Sequence, residues 1–286
     1  KATFIKSNIN NIPVLTKILK KNSFDALIHF AGFIQVEESI KYPKKYFTNN
    51  TKNSRILINT CVQNGLKNII FSSTAAAYGD SKKFYVNENT KLNPINPYAK
   101  SKVLTENYLK KLNKNKKINF VILRYFNVAG ADPKMRSGLI SKKSTHLIKI
   151  ASEVAIGKRK SITIFGNNYT TKDGTAIRDF IHVSDLAEIH IKSIKYLLTK
   201  KTSVVLNCGY GKGYSVKEII NKICLISNKK INIKYGLKRK GDTMSLVANV
   251  NKLMKTIKWT PKYNNIETIL KTAIAWEKKL LNEKNL

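Results

Sequence analysis

The chain is 286 residues long and 42% apolar, with 53 Lys and Arg against 17 Asp and Glu, a formal charge of +36. That length and apolar share fit one large or two smaller globular domains, and no run nears the ~18 apolar residues of a helical membrane span. Only six of the 53 basic residues are Arg, and the lysines are spread over every segment rather than gathered in an arm or an aromatic-interleaved stripe, which argues against specific nucleic-acid recognition.

The opening KATFIKSNIN has no uninterrupted apolar stretch of the signal-peptide kind. Residues 25–31, DALIHFA, form a short apolar run ending at Gly32 and are predicted as a buried parallel strand. A helix is predicted from Tyr46 to Gln63, stopped by Asn64-Gly65. NIIFSST (68–74) reads as a second strand. The next helix runs from Tyr98 to about Leu112, with Leu104, Tyr108 and Leu112 on one stripe. Pro97 suits its first turn, where a missing N–H costs nothing. INFVILRYF (118–126) is a third strand, and strands alternating with helices of this length mean an α/β fold with a parallel sheet.

After Gly130 the rhythm loosens. A helix is predicted near 146–156, a strand at SITIFG and a long helix from Asp185 to Leu198. A strand VVLNCG (204–209), a helix from Ser215, strands INIKYG and SLVAN, and a last helix from 265 follow. These later elements read as a smaller lobe interleaved with the first. Gly209-Tyr-Gly211-Lys-Gly213 lies between a strand and a helix, but its spacing is GxGxG rather than the dinucleotide-binding GxGxxG. With the capping box Ser215-x-x-Glu218 behind it, it reads as an ordinary loop. Cys61, Cys208 and Cys224 are too few and scattered for a disulfide framework or a metal site, and the four histidines lack ligand spacing. A reducing, cytoplasmic home and no metal are expected.

Ligands of open parallel sheets bind beyond the carboxyl ends of the strands. Here those ends carry HFAG, SST and RYFN. Ala31, Gly32, Ser72 and Ser73 are small enough to let a flat ligand approach backbone. Thr74 offers a hydroxyl at the same edge, although a turn cap would explain it equally well. Tyr98 and Lys102 stand at i and i+4 on one helix face. A half-buried aromatic beside a solvated lysine would give the same pair. A free phenol titrates near ~10, so as a base at neutral pH it needs an adjacent cation, and Lys102 is placed to be one.

Six blocks in order, HFAG (29–32), FSSTAAAYGD (71–80), PYAKSK (97–102), LRYFNVAG (123–130), FGNNYTTKDGTAIRDFIHVSDLA (165–187) and RKGD (239–242), resemble the extended short-chain dehydrogenase/reductase family. Within it the chain is similar to the UDP-glucose (UDP-galactose) 4-epimerases over nearly its whole length. The resemblance implies a Rossmann-like doubly wound sheet, N-terminally incomplete, with a smaller α/β substrate-binding lobe. Residues 1–130 would be the NAD-binding domain without its first βαβ portion. Residues 131–286 would be mainly the UDP-sugar lobe, with about 175–210 returning to the first domain.

The activity so implied is NAD-dependent exchange of UDP-glucose and UDP-galactose through a 4-keto sugar, in a cytoplasmic homodimer. Tyr98 would be the base, Thr74 the partner of the 4-oxygen, and Lys102 the group that lowers the phenol pKa and holds the nicotinamide ribose. Phe30, Ala31, Gly32, Asn49, Ser72 and Phe126, with Thr74, Tyr98 and Lys102, would line the NAD site. Asn127, His146, Leu147, Phe165, Arg178, Arg239, Asp242 and Leu246 would hold the UDP-sugar, Leu246 bordering the sugar's 2-substituent. The related 4,6-dehydratases carry Asp-Glu directly after the threonine; Ala75 and Ala76 stand there instead, so elimination lacks its acid.

The departures point elsewhere. These residues contain no glycine-rich pyrophosphate turn, the match begins at about the family's third strand, Asn8 stands for an adenine-side Asp, and Ile34 for a lysine near NAD. As given, the chain is expected to hold NAD weakly. Two alternatives accompany the main reading: an epimerase remnant acting only as a binding protein, and a UDP-N-acetylglucosamine 4-epimerase.

Overall fold

The computed structural model describes residues 2–81, 83–141 and 144–283. In chain order its elements are α1 (Ile12–Lys21), β1 (Leu27–His29), α2 (Val36–Lys41), α3 (Pro43–Tyr46), α4 (Ser54–Gln63), β2 (Asn68–Thr74), β3 (Tyr85–Val86), α5 (Pro97–Lys114), β4 (Asn119–Tyr125), β5 (Asn127–Ala129) and α6 (Leu147–Ala155). Then come β6 (Ile162–Phe165), β7 (Ile177–His182), α7 (Val183–Lys200), β8 (Val204–Cys208), β9 (Gly213–Ser215), α8 (Val216–Ser227), β10 (Ile233–Gly236), β11 (Ser245–Ala248), α9 (Asn251–Ile257) and α10 (Ile266–Asn282). The chain forms two compact units. Residues up to 79, 92–124 and 191–206 make the first; 80–91, 125–190 and those from 207 on make the second.

The first unit is built on a sheet of order β1–β2–β4–β8, with β1 and β2 parallel and Leu27 opposite Ile69. β2 is buried on both faces, Ile69, Ile70 and Phe71 being wholly inaccessible, which is why its sequence is an apolar run without alternation. Leu57, Ile58 and Cys61 of α4 and Leu109 and Leu112 of α5 close over Ile69, Phe71, Phe120 and Ile122 in one core.

Three features differ from the sequence expectation. Residues 12–21 form a helix, capped by the Asn11 side chain and led by Pro13, whose apolar residues are only partly covered and so gave a weak signal. The expected continuous helix over Tyr46–Gln63 contains a π-helical stretch at Phe47–Asn53. Its wider turn brings Asn50 and Thr51 inward, where the Thr51 hydroxyl donates to the Ser101 carbonyl at 3.0 Å. On α5 the predicted stripe holds only in part: Leu112 is buried, but Leu104 is 40% exposed, and Lys102 and Glu106 lie on the buried face beside Ala99 and Leu109. Polar side chains take that face because they satisfy one another there.

In the second unit the strand order is β3–β11–β7–β5, with β9 antiparallel on β7; β6 and β10 form a separate parallel pair. β7 lies between the predicted strand SITIFG and the predicted helix from Asp185, where no strand was expected. Its Asp179 explains the fold there: the buried carboxylate accepts backbone N–H groups of Tyr210 (2.9 Å), Gly211 (2.9 Å) and Ala248 (3.1 Å). The GxGxG segment is thereby a structural loop, as its spacing predicted. Gly209 is required, since a Cβ there would come within 2.6 Å of the Asp179 carboxylate. Ser215 and Glu218 form the reciprocal capping box of α8. Asp179→Ala orphans three backbone donors, two of them buried, and is expected to cost about 3 kcal/mol of stability, read as a lower urea midpoint.

Candidate active site

Thr74 ends β2, and its hydroxyl accepts the Ala76 N–H at 3.1 Å, capping the 3-10 turn Ala75–Tyr78. The same hydroxyl lies close enough to the Tyr98 phenol to draw its pKa down, so the cap and the site are one group. Tyr98 is the second residue of α5, half-buried, its ring edge-on to the fully buried Tyr46 at 6.5 Å. The Asn96 side chain caps that helix by accepting the Ala99 N–H at 2.9 Å. One turn on, Lys102 is 3% exposed, and its ammonium donates to the Ser72 carbonyl at 2.9 Å.

Burial lifts the Tyr98 phenol above its ordinary value, while the Thr74 hydroxyl works the other way. Burial also pushes the Lys102 ammonium down, to about 8. Sequence spacing had given the task of lowering the phenol to the lysine. Within this structure the Thr74 hydroxyl draws the phenol down, and the Lys102 ammonium donates to the Ser72 carbonyl.

Gly32 lies where the loop after β1 passes this ammonium. A Cβ there would sit 3.1 Å from Lys102 Nζ and 3.3 Å from Asn50 Oδ1. Asn50, which sequence reasoning passed over for Asn49, pins the loop. Its side chain accepts the Phe33 N–H at 2.8 Å, donates to the Phe33 carbonyl at 2.9 Å and reaches Ser101 Oγ at 3.1 Å. Asn49 only braces it, donating to Asn50 Oδ1 at 3.2 Å. Phe30 and Ala31 are exposed beside Gly32, and Ser72 is buried.

Within the second unit, Arg239 stacks on Phe165 (4.8 Å) and pairs with Asp242 at 2.9 Å. Arg178 and Tyr169 share the field of Asp242 and Arg239; burial lowers the Arg178 guanidinium and raises the Tyr169 phenol. Tyr169 belongs to the motif, yet nothing in its spacing singled it out. Leu246 is buried in β11 directly opposite Arg178. Asn127 reaches the same strands by donating to the Asp179 carbonyl at 3.0 Å. Phe126 is buried, its N–H on the Cys208 carbonyl. His146 and Leu147 start α6 and make no hydrogen bond to the arginine cluster among the described residues. Two guanidiniums around one aromatic suit a diphosphate.

The sequence matches the NAD dependent epimerase/dehydratase family over residues 1–209. It is 40% identical to the UDP-glucose 4-epimerase of Azospirillum brasilense over 276 residues, 96% of this chain and 79% of that one. The structure is similar to the UDP-Glc/GlcNAc 4-epimerase from Campylobacter jejuni (TM-score 0.82, 42% identity, 97% of this chain and 84% of that one). It is also similar to the UDP-glucose 4-epimerase from Stenotrophomonas maltophila with bound NAD and formylated UDP-arabinopyranose (TM-score 0.94, 28% identity, 98% and 84%). With a family match over residues 1–209 and a relative 40% identical over 96% of its length, the chain belongs to the NAD dependent epimerase/dehydratase family.

Proposed function

We infer that the chain interconverts UDP-glucose and UDP-galactose by NAD-dependent oxidation and re-reduction at C4 of the sugar. The observation that carries this is the Tyr98 phenol within the influence of the Thr74 hydroxyl, with Lys102 buried one turn away. Tyr98 takes the proton of the 4-hydroxyl and later returns it, and Thr74 holds the 4-oxygen in line. When bound, NAD supplies the acceptor for the C4 hydride and the donor for its return to the other face. The residues present fit it: Gly32 leaves room for a ligand against the Lys102 ammonium that a Cβ would fill, and the Asn50-pinned loop fixes Phe30 and Ala31 beside it. Lys102, Ser72 and Asn49 complete the set that would hold the cofactor, with Phe126 assigned to it by resemblance. The alanines after Thr74 leave dehydration without an acid.

Arg178, Arg239 and Asp242 would grip the diphosphate, with Phe165, Asn127, His146 and Leu147 around the nucleotide and sugar. The purified chain, given UDP-galactose and NAD in large excess to offset the weak hold expected of it, is expected to form UDP-glucose; no conversion at saturating NAD refutes the reading. We further propose that two copies associate, which light scattering tests, and that the chain works in the cytoplasm, in keeping with buried thiols at Cys61 and Cys208. No described helix is long and apolar enough to cross a membrane.

The Campylobacter relative is a UDP-Glc/GlcNAc 4-epimerase, and Leu246 is smaller than tyrosine. Some turnover of the N-acetylated pair beside the plain hexoses is therefore expected. Leu246→Tyr should cut the N-acetyl to plain turnover ratio by roughly 10- to 100-fold. An unchanged ratio would take Leu246 out of the pocket.

A further inference from the structure

An ion pair lies buried beside the Thr74–Tyr98 pair, and proton transfer makes no direct use of it. Glu106 stands on α5 one turn beyond Lys102 and is wholly inaccessible. Its carboxylate grips Arg124 at both oxygens, Nε to Oε1 at 3.0 Å and Nη2 to Oε2 at 2.6 Å. Oε1 also accepts the Ser73 hydroxyl at 2.5 Å, and Lys110 lies 3.7 Å from Oε2. Arg124, 2% exposed at the end of β4, donates Nη1 to the Tyr78 hydroxyl at 3.0 Å. Ser73 and Tyr78 bracket Thr74 and the turn that it caps.

Two charges this deep lose hydration that their attraction only offsets, and apolar side chains of like volume would commonly be as stable. Apolar side chains could not, however, fix the bearings of Ser73 and Tyr78 by directional bonds. The network ties together the helix that carries Tyr98, the strand end that carries Thr74, and the turn that uses the Thr74 hydroxyl.

We propose that Glu106, acting through Ser73, Arg124 and Tyr78, is a positioning residue that sets the bearing of the Thr74 hydroxyl on the Tyr98 phenol. Its consequence for rate rests on the epimerase reading; its consequence for geometry does not. Removing Glu106 would strand a buried guanidinium and threaten the fold. Ser73→Ala is the better probe, because it leaves the Glu106–Arg124 pair whole.

In Ser73→Ala, kcat is expected to fall roughly 10- to 100-fold with KM for the UDP-sugar within about twofold, as misplacement without loss of binding predicts. The second readout is the 13C resonance of the Tyr98 ring carbon bearing the hydroxyl, assigned by its loss in Tyr98→Phe. It should move in Ser73→Ala and in Tyr78→Phe while the melting temperature shifts by no more than about 3 °C. A merely structural role would lower the melting temperature and leave the resonance in place. That result, or an unchanged kcat in an active enzyme, overturns the inference. Should the wild-type chain fail to epimerise, the function falls, and the Tyr98 resonance alone still decides for or against the positioning role.

Discussion

Tyr98→Phe is expected to lower kcat by about 10³-fold or more while the affinity for UDP-sugar stays within about twofold, because only the transition state uses the phenol as a base. The substitution is structurally mild. The Thr74 hydroxyl keeps the Ala76 N–H, α5 keeps its Asn96 cap, and the ring keeps its edge-on contact with Tyr46. Burial holds the phenol above its ordinary value, so in the wild type the reactive, deprotonated fraction grows as pH rises through the neutral range. The wild-type rate should rise with pH accordingly, and the phenylalanine variant should lose that dependence. Steady-state kinetics on both, from pH 6 upward, would check it. Near-normal epimerisation by Tyr98→Phe would mean that another group is the base.

Lys102→Met is expected to abolish most activity and yet stabilise the fold at neutral pH. The lysine titrates at about 8 in the folded chain against an unfolded value of 10.5. Below about pH 8 both states carry the proton, and the folded state bears the full cost of a buried charge, roughly 3 kcal/mol. Between 8 and 10.5 the folded lysine sheds its proton first, so wild-type stability climbs with pH. Above that range the penalty is gone. Methionine removes the penalty but leaves the Ser72 carbonyl without its donor, a loss of about 1 kcal/mol. The variant should therefore be about 1–2 kcal/mol more stable than wild type at pH 7, and the gap should close by pH 10. Urea unfolding at the two pH values measures it. A variant less stable than wild type at pH 7 would show that Lys102 is not strained by burial. The expected outcome is a residue kept for its chemistry against the interest of stability.

Much of this was legible in the chain itself. NIIFSST and INFVILRYF are strands buried on both faces, and such strands must be written as apolar runs, so their places could be read without tertiary knowledge. Pro97 at a helix start, the Ser215–Glu218 box and the spacing of the GxGxG decoy are local rules obeyed locally. Tyr98 and Lys102 were legible for the same reason, since four residues along a helix fix two side chains on one face. The short strands β3, β5 and β9 were not, because two or three residues carry no period.

Only the tertiary structure decided which polar groups are buried and what they answer to. Nothing near Glu106 in sequence announces Arg124, 18 residues away, or Ser73, 33 away. Asn50 outranks its neighbour Asn49 only because a π-helical turn points it at Phe33. Lys102 bonds Ser72 rather than serving the phenol alone because β2 ends beside α5. Periodicity and caps are properties of one segment, so the sequence determined the elements and the chemistry-bearing side chains. Hydrogen-bond satisfaction under burial belongs to several segments at once, and the packing alone determined the network around them.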